Sequence, residues 1–181
     1  MTVTSKSSFK VTTGPAGRAM AEPMQVELVE ALHQHLTMER NASVQYFALS
    51  LWFAERELGG FSKFFKSEAE SEREHSSKFS EYLIARGQTV VLEQLKEPMQ
   101  SWKDIEEVFS ATFLMEADVT TSLHQLYAIA ERDSDYRTTV FLDPIIDDQT
   151  SSENEFAHLL GRVKFAQNQP SALLIIDGEL N

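Results

Sequence analysis

Glu72 and His75 stand three residues apart in the acidic run Glu68-Ala-Glu-Ser-Glu72-Arg-Glu-His75. At that separation on an α-helix the two side chains share a face, so one carboxylate and one imidazole can reach a common point. Such a pair suits a metal ion. Glu and His at this spacing also occur on ordinary solvated helix faces, so the surrounding chain has to decide between the two readings.

Apolar residues recur at alternating steps of four and three along four segments, and each seam is interrupted near its middle by a polar group. The first reads Leu28, Leu32, His35, Glu39, Ala42, Tyr46, Leu49 and Phe53. The second reads Phe61, Phe65, Glu68, Glu72, His75, Phe79 and Tyr82. The third reads Ile105, Phe109, Thr112, Glu116, Val119, Leu123, Leu126 and Ala130, and the fourth Leu142, Ile145, Gln149, Ser152, Phe156, Leu159 and Val163. Glu39 precedes Glu72 by 33 residues and Glu116 precedes Gln149 by 33, as though two helical hairpins were related by a pseudo-twofold axis. Di-iron carboxylate bundles use one Glu from each of two helices and a Glu-x-x-His from each of the other two. Three of those four contributions are present here. A buried carboxylate without a partner costs several kcal/mol, so three of them at one depth call for a cation.

The elements that must position these groups are delimited by local signals. Pro23 suits a first helical turn, Gly59-Gly60 marks a reversal, and Gly87 fits the C′ position of the second helix. From Gln88 to Ser101 the helical pattern lapses around Pro98, and the apolar Val90, Val91 and Leu92 favour a crossover along a bundle over a floppy linker. Ser101-x-x-Asp104 resembles an N-terminal cap for the third helix, and Glu131-Arg-Asp-Ser-Asp135 is a turn. Pro144 predicts a kink or break in the first half of the fourth helix. After Pro170, Ala172 to Ile176 form a short apolar fifth helix, expected to be buried only on assembly of subunits. The fold class is all-α: a four-helix bundle over 21–181 with a long crossover between helices 2 and 3 and a short C-terminal helix. Residues 1–20 are read as an extended or poorly ordered arm.

Composition narrows the function. The 181 residues carry a formal net charge of -12, which disfavours nucleic-acid partners and anionic membrane surfaces and favours cations. Cysteine is absent, leaving oxygen and nitrogen as metal donors. No stretch reads as a transmembrane span or a secretory signal. The arm is read as cytoplasmic, with organelle import left open because transit peptides share its composition. His33, His35, His124 and His158 are read as surface or hydrogen-bonded histidines, none with a partner at ligand spacing.

The chain resembles a ferritin of the bacterial and cyanobacterial non-haem type over residues 20–181. The resemblance rests on Met38-Glu39 with Tyr46 one heptad later, Glu72-Arg-Glu-His75, Leu114-Met115-Glu116 and Asp148-Gln149. It implies a ferroxidase centre with Glu39, Glu72 and His75 on one iron, Glu72 bridging, and Glu116 with Gln149 as a candidate ligand at the other. Tyr46 would hydrogen-bond a ligand and supply an electron. It further implies Fe²⁺ and dioxygen or peroxide as substrates and a hollow homo-oligomer of 24 chains that stores ferric mineral. Glu68 is the candidate transit ligand, and Asp143, with Asp147 and Asp148, a candidate channel residue at the start of the fourth helix. Arg73 stands where bacterioferritins place the haem-ligating Met, so no haem is expected. Gln149 and Ser152 replace a second Glu-x-x-His, and Thr150, Ser151 and Ser152 put a third iron site in doubt. The alternatives are a di-iron oxidase with a permanent cofactor and a non-enzymatic helical assembly protein.

Overall fold

A computed structural model describes residues 10–180. Among them are five helices, α1 (Val26–Ala54), α2 (Gly59–Ala85), α3 (Ile105–Arg132), α4 (Tyr136–Ala166) and α5 (Pro170–Glu179). The all-α, four-helix expectation holds. No helix among the described residues is long and apolar enough to cross a membrane.

Helices α1 and α2 pair directly, as do α3 and α4, and α1 also packs along α3. The backbones of α2 and α4 stay farther apart, and aromatic side chains fill the space between them. Phe65 and Phe156 have ring centroids 6.3 Å apart, and Tyr82 stacks on Phe141 at 4.0 Å. The buried apolar residues fall into two clusters. One, around Tyr46, Phe53, Phe61, Phe65, Phe109 and Phe156, fills the end near α5. The other, around Leu28, Leu32, Leu36, Phe79, Leu123, Leu126 and Leu142, fills the opposite end. The polar residues that interrupt the seams lie between the clusters, so the middle of the bundle is a polar layer closed off at both ends.

Helix ends follow their local chemistry. Gly87, at φ +79, closes α2 in the left-handed conformation, and Gly87 N and Gln88 N donate to the carbonyls of Ile84 and Leu83, the paired bonds of a Schellman turn. The crossover over 86–104 lies along α1, held by side chains: Arg40 donates to the Glu93 carbonyl, Asn41 accepts from Lys96 N, and Gln45 bonds both N and O of Met99. The cap of α3 is Asp104 itself, which accepts from Glu107 N at 2.9 Å, while Glu107 reaches back to Lys103 N. Asp135 caps α4 through Thr138 N and is gripped at both oxygens by Arg86 from the end of α2. Helix α4 begins at Tyr136 and runs through Pro144 without a break. Val140, whose carbonyl loses its usual partner to the proline ring, is exposed, so water can serve it.

Two segments make contacts that their sequence does not signal. Residues 1–9 of the proposed arm lie outside the described residues, but 10–20 are tied down: Thr13 bridges Ala19, and Gly14 sits where a Cβ would fall 1.9 Å from the Gly87 carbonyl oxygen. The fifth helix is already half-covered within one chain. Leu173 and Ile176 are buried, Asp177 accepts from Phe61 N at 2.8 Å, and of the large apolar residues of α5 only Leu174 and Ile175 face outward. Gly60 permits this docking, since a Cβ there would lie 1.7 Å from the Asp177 carbonyl oxygen.

Candidate metal centre

Each of the four long helices delivers its mid-seam residue to the polar layer. Glu39 (α1) is 1% exposed, Glu72 (α2) 4%, Glu116 (α3) 1% and Gln149 (α4) 5%. His75, one turn after Glu72, is partly buried. One donor atom each from Glu39, Glu72 and His75 lies within 4.8 Å of the others, a spacing that lets a single ion touch all three. His75 Nδ1 is 3.0 Å from Glu72 Oε2. Both oxygens of Glu39 are buried with no hydrogen-bond partner.

Across the layer, Glu116 is held from two sides. Tyr46 O–H donates to its Oε1, and Gln149 Nε2 donates to its Oε2 at 2.9 Å and to the Glu116 backbone carbonyl at 3.2 Å. Tyr46 itself is fully buried, stacked on Phe156 at 5.5 Å. The amide nitrogen of Gln149 therefore faces the carboxylate, and any ion held by Gln149 would use its oxygen.

The electrostatics follow from burying so many carboxyls together. Burial pushes Glu72 up to about 8, against a hydrogen bond with His75 that opposes the rise. Burial likewise raises Glu39 and Glu116, the latter further by the charge of Glu72. His75 is raised chiefly by its bond to Glu72. Glu68, one turn before Glu72 and half-buried, is pushed up to about 8 by burial and then by Glu155 and Glu72. Without a cation the cluster therefore retains protons, because like charges in a low-dielectric pocket cannot all ionise. A divalent cation supplies what the cluster lacks: two or more positive charges next to unpartnered oxygens. The donors are carboxylate oxygen and imidazole nitrogen, the set that suits ferrous iron and other borderline divalent ions.

The remaining sequence candidates fall elsewhere. Asp143, Asp147 and Asp148 are exposed and sit in the second to fourth turns of α4, not at its start, since the helix begins earlier than its seam suggests. Asp143 lines an open surface depression with His124, Tyr127 and Glu131. Ser152, one turn after Gln149 on α4, is partly buried. His35 overturns the reading that no other histidine has a partner at ligand spacing. It is fully buried one turn before Glu39, with Nε2 2.9 Å from Glu39 Oε1. The signal was present as a His/Glu pair at i, i+4 on one seam, but burial of the imidazole depends on Ser122 and Phe79 from other helices. Glu153, partly buried on α4, accepts from Thr120 Oγ1 and carries no seam signal.

Comparison with known proteins bears on this centre. The ferritin-like domain family matches residues 29–166. A bacterial non-heme ferritin of Staphylococcus epidermidis is 32% identical over 130 residues, covering 72% of this chain and 78% of the relative. One of Staphylococcus aureus is 29% identical over 153 residues, 84% of this chain and 92% of its own length. Among solved structures, an open pore ferritin from the hyperthermophilic archaeon Archaeoglobus fulgidus superposes with a TM-score of 0.84 at 25% identity, over 87% of this chain and 97% of that one.

Proposed function

We propose that this chain, which belongs to the ferritin-like family, is an iron-storage protein that oxidises Fe²⁺ at the polar layer of its own bundle and passes the ferric product to a mineral. The observation that carries this reading is the closure of Glu39, Glu72 and His75 around one point, with both Glu39 oxygens lacking a partner. One Fe²⁺ is bound there. Glu72 is central enough to bridge to a second ion that Glu116 binds, with the Gln149 amide oxygen as a weaker donor. Metal pairs in such sites stand about 3.5–4 Å apart. Two ferrous ions together give the two electrons that take one dioxygen, with two protons, to hydrogen peroxide. Peroxide can serve as oxidant in turn.

The asymmetry of the donors sets the direction of traffic. A carboxylate and an imidazole on α2 hold iron more firmly than the amide and serine that occupy the corresponding turn of α4. The second ion is the one that leaves. Glu68, half-buried one turn along the same seam, is the acceptor on its way out. The three exposed aspartates of α4 attract cations at the surface.

Storage requires a container, and the chain offers apolar surface for one. Phe47 and Leu51 on α1, Val91 and Leu92 on the crossover, and Phe165, Leu174 and Ile175 near α5 are exposed, apolar surface that neighbouring chains can cover. We take them as contacts in a hollow homo-oligomer of the ferritin type, a 24-mer, working in the cytoplasm.

Aerobic Fe²⁺ titration with size measurement tests the proposal. Uptake of many irons per chain into a large particle with a dense core is the expected result. Saturation at two irons would identify a di-iron oxidase with a resident cofactor. Oxygen consumption no faster than with a Glu72→Ala, His75→Ala double variant would identify a non-enzymatic assembly protein.

A further inference from the structure

His35 lies behind a proposed iron ligand without belonging to the donor set. Its Nε2 is 2.9 Å from Glu39 Oε1, yet the two are out of line for a hydrogen bond, so this nitrogen and both Glu39 oxygens are buried with no aligned partner. Its Nδ1 is 2.8 Å from Ser122 Oγ on α3. The ring packs on Phe79 at a centroid distance of 4.5 Å, which limits its tilt. The three residues whose donors close on one point do not include it. Buried polar atoms are nearly always partnered, and here the unpartnered atoms of His35 and Glu39 face each other.

Resting on the ferroxidase reading above, we infer that His35, steadied by Ser122, is a positioning residue that fixes which oxygen of Glu39 receives the first iron. A neutral imidazole carries one ring proton and one lone pair. With the Ser122 hydroxyl as donor to Nδ1 in this arrangement, the ring proton lies on Nε2, opposite Glu39 Oε1. Facing Oε1 at 2.9 Å, that N–H favours negative charge on this oxygen and leaves Oε2 for the metal. Ligating carboxylates are themselves held by such outer partners, and removing one typically weakens metal binding about 10–100-fold. An apolar residue at position 35 would remove the nitrogen that faces Oε1 and leave Glu39 free to turn either oxygen inward. Ser122, partly buried, also lines a cleft between α1 and α3 with Glu27, Glu30 and Gln34.

The test is Co²⁺ titration of the metal-free full-length protein, read by calorimetry and by the visible d–d absorption of bound Co²⁺. His35→Leu is expected to weaken the tighter site about 10–100-fold. His35→Gln, whose amide can still donate to Glu39, recovers most of that loss. Ser122→Ala keeps the ring and its packing, gives an intermediate loss and shifts the d–d band. Circular dichroism and melting without metal identify a variant that is merely unfolded. Co²⁺ affinity within about twofold of wild type in both His35→Leu and Ser122→Ala would overturn the role of His35. Should His35→Leu not fold, unchanged affinity and spectrum in Ser122→Ala suffice to overturn it. Glu39→Ala separates the two levels: if it too leaves Co²⁺ binding unchanged, the ferroxidase centre itself is misplaced, whereas loss of binding in Glu39→Ala alone rejects only His35.

Discussion

The Tyr46 hydroxyl, delivered by α1 from two turns beyond Glu39, donates to Oε1 of Glu116 on α3, while Gln149 donates to the other oxygen. The second proposed ligand is therefore clamped from both sides before any metal arrives. That contrasts with Glu39, whose oxygens have no aligned partner. The two halves of the site are prepared differently: one carboxylate is preorganised by neutral donors, the other waits on His35 and a cation.

Tyr46→Phe keeps the ring stacked on Phe156 and removes only the donor. Leaving a buried carboxylate oxygen unsatisfied costs about 1–3 kcal/mol, so the metal-free variant should melt lower, and a bound divalent ion should restore part of the loss. Removal of this outer partner should also slow oxygen consumption roughly tenfold, at the low end of such effects. Stopped-flow oxygen consumption at two Fe²⁺ per chain checks the rate. An unchanged rate would show that the phenol serves packing alone.

Arg86 and Asp135 join the end of α2 to the start of α4 with two bonds of 2.8 Å. Burial alone would raise Asp135, but the hydrogen bonds from Arg86 outweigh it and hold the carboxyl below the usual range. The folded state therefore binds fewer protons here than the unfolded chain. The stabilisation is complete above the ordinary carboxylate range near 3.8 and is lost as pH falls through the lower folded value. Asp135→Asn should cost roughly 3 kcal/mol, the low end for breaking a buried pair, because Arg86 still donates to the Tyr82 hydroxyl oxygen. Urea melts at pH 7 and at pH 3 test it, the difference between variant and wild type shrinking in acid.

Gly60 marks where α5 touches the start of α2. A methyl group there would lie 1.7 Å from the backbone oxygen of Asp177, so Gly60→Ala should displace α5 and free the Phe61 N–H from Asp177. Leu173 and Ile176 would become exposed. Hydrogen exchange confined to α5 and the first turn of α2, together with weaker assembly by size measurement, is the expected pattern.

Four helices and the depth of the site were readable because period and polarity agree: Glu39, Glu72, His75, Glu116 and Gln149 each break an otherwise apolar seam. Helix boundaries with a stereochemical cause, such as Gly87 in the left-handed region, were readable too. What escaped depends on contacts between distant segments. His35 looks like any seam histidine until Ser122 and Phe79 are brought against it. The docking of 12–20 rests on Gly14 meeting Gly87, and that of α5 on Gly60 meeting Asp177, close approaches that leave only a glycine as their trace. The start of α4 was missed because its first turns, with exposed Tyr136, Arg137 and Val140, lack a seam.

Glu72 links the site to pH. Burial raises its carboxyl from the ordinary 4.5 to about 8, so in the metal-free protein the folded state holds a proton that the unfolded chain has released. Stability from this group is fully present below about 4.5 and declines as pH rises through about 8. A divalent ion reverses the sense, since it binds the deprotonated carboxylates and expels their protons. The metal-free protein should therefore melt at a lower temperature at pH 8 than at pH 5.5, with a smaller difference in Glu72→Gln, which cannot titrate. Zn²⁺ should raise the melting temperature far more at pH 8 than at pH 5.5, and calorimetry in buffers of different ionisation enthalpy should show protons released on binding at neutral pH. Equal Zn²⁺ stabilisation at both pH values would mean that the carboxyl cluster is not where the ion binds.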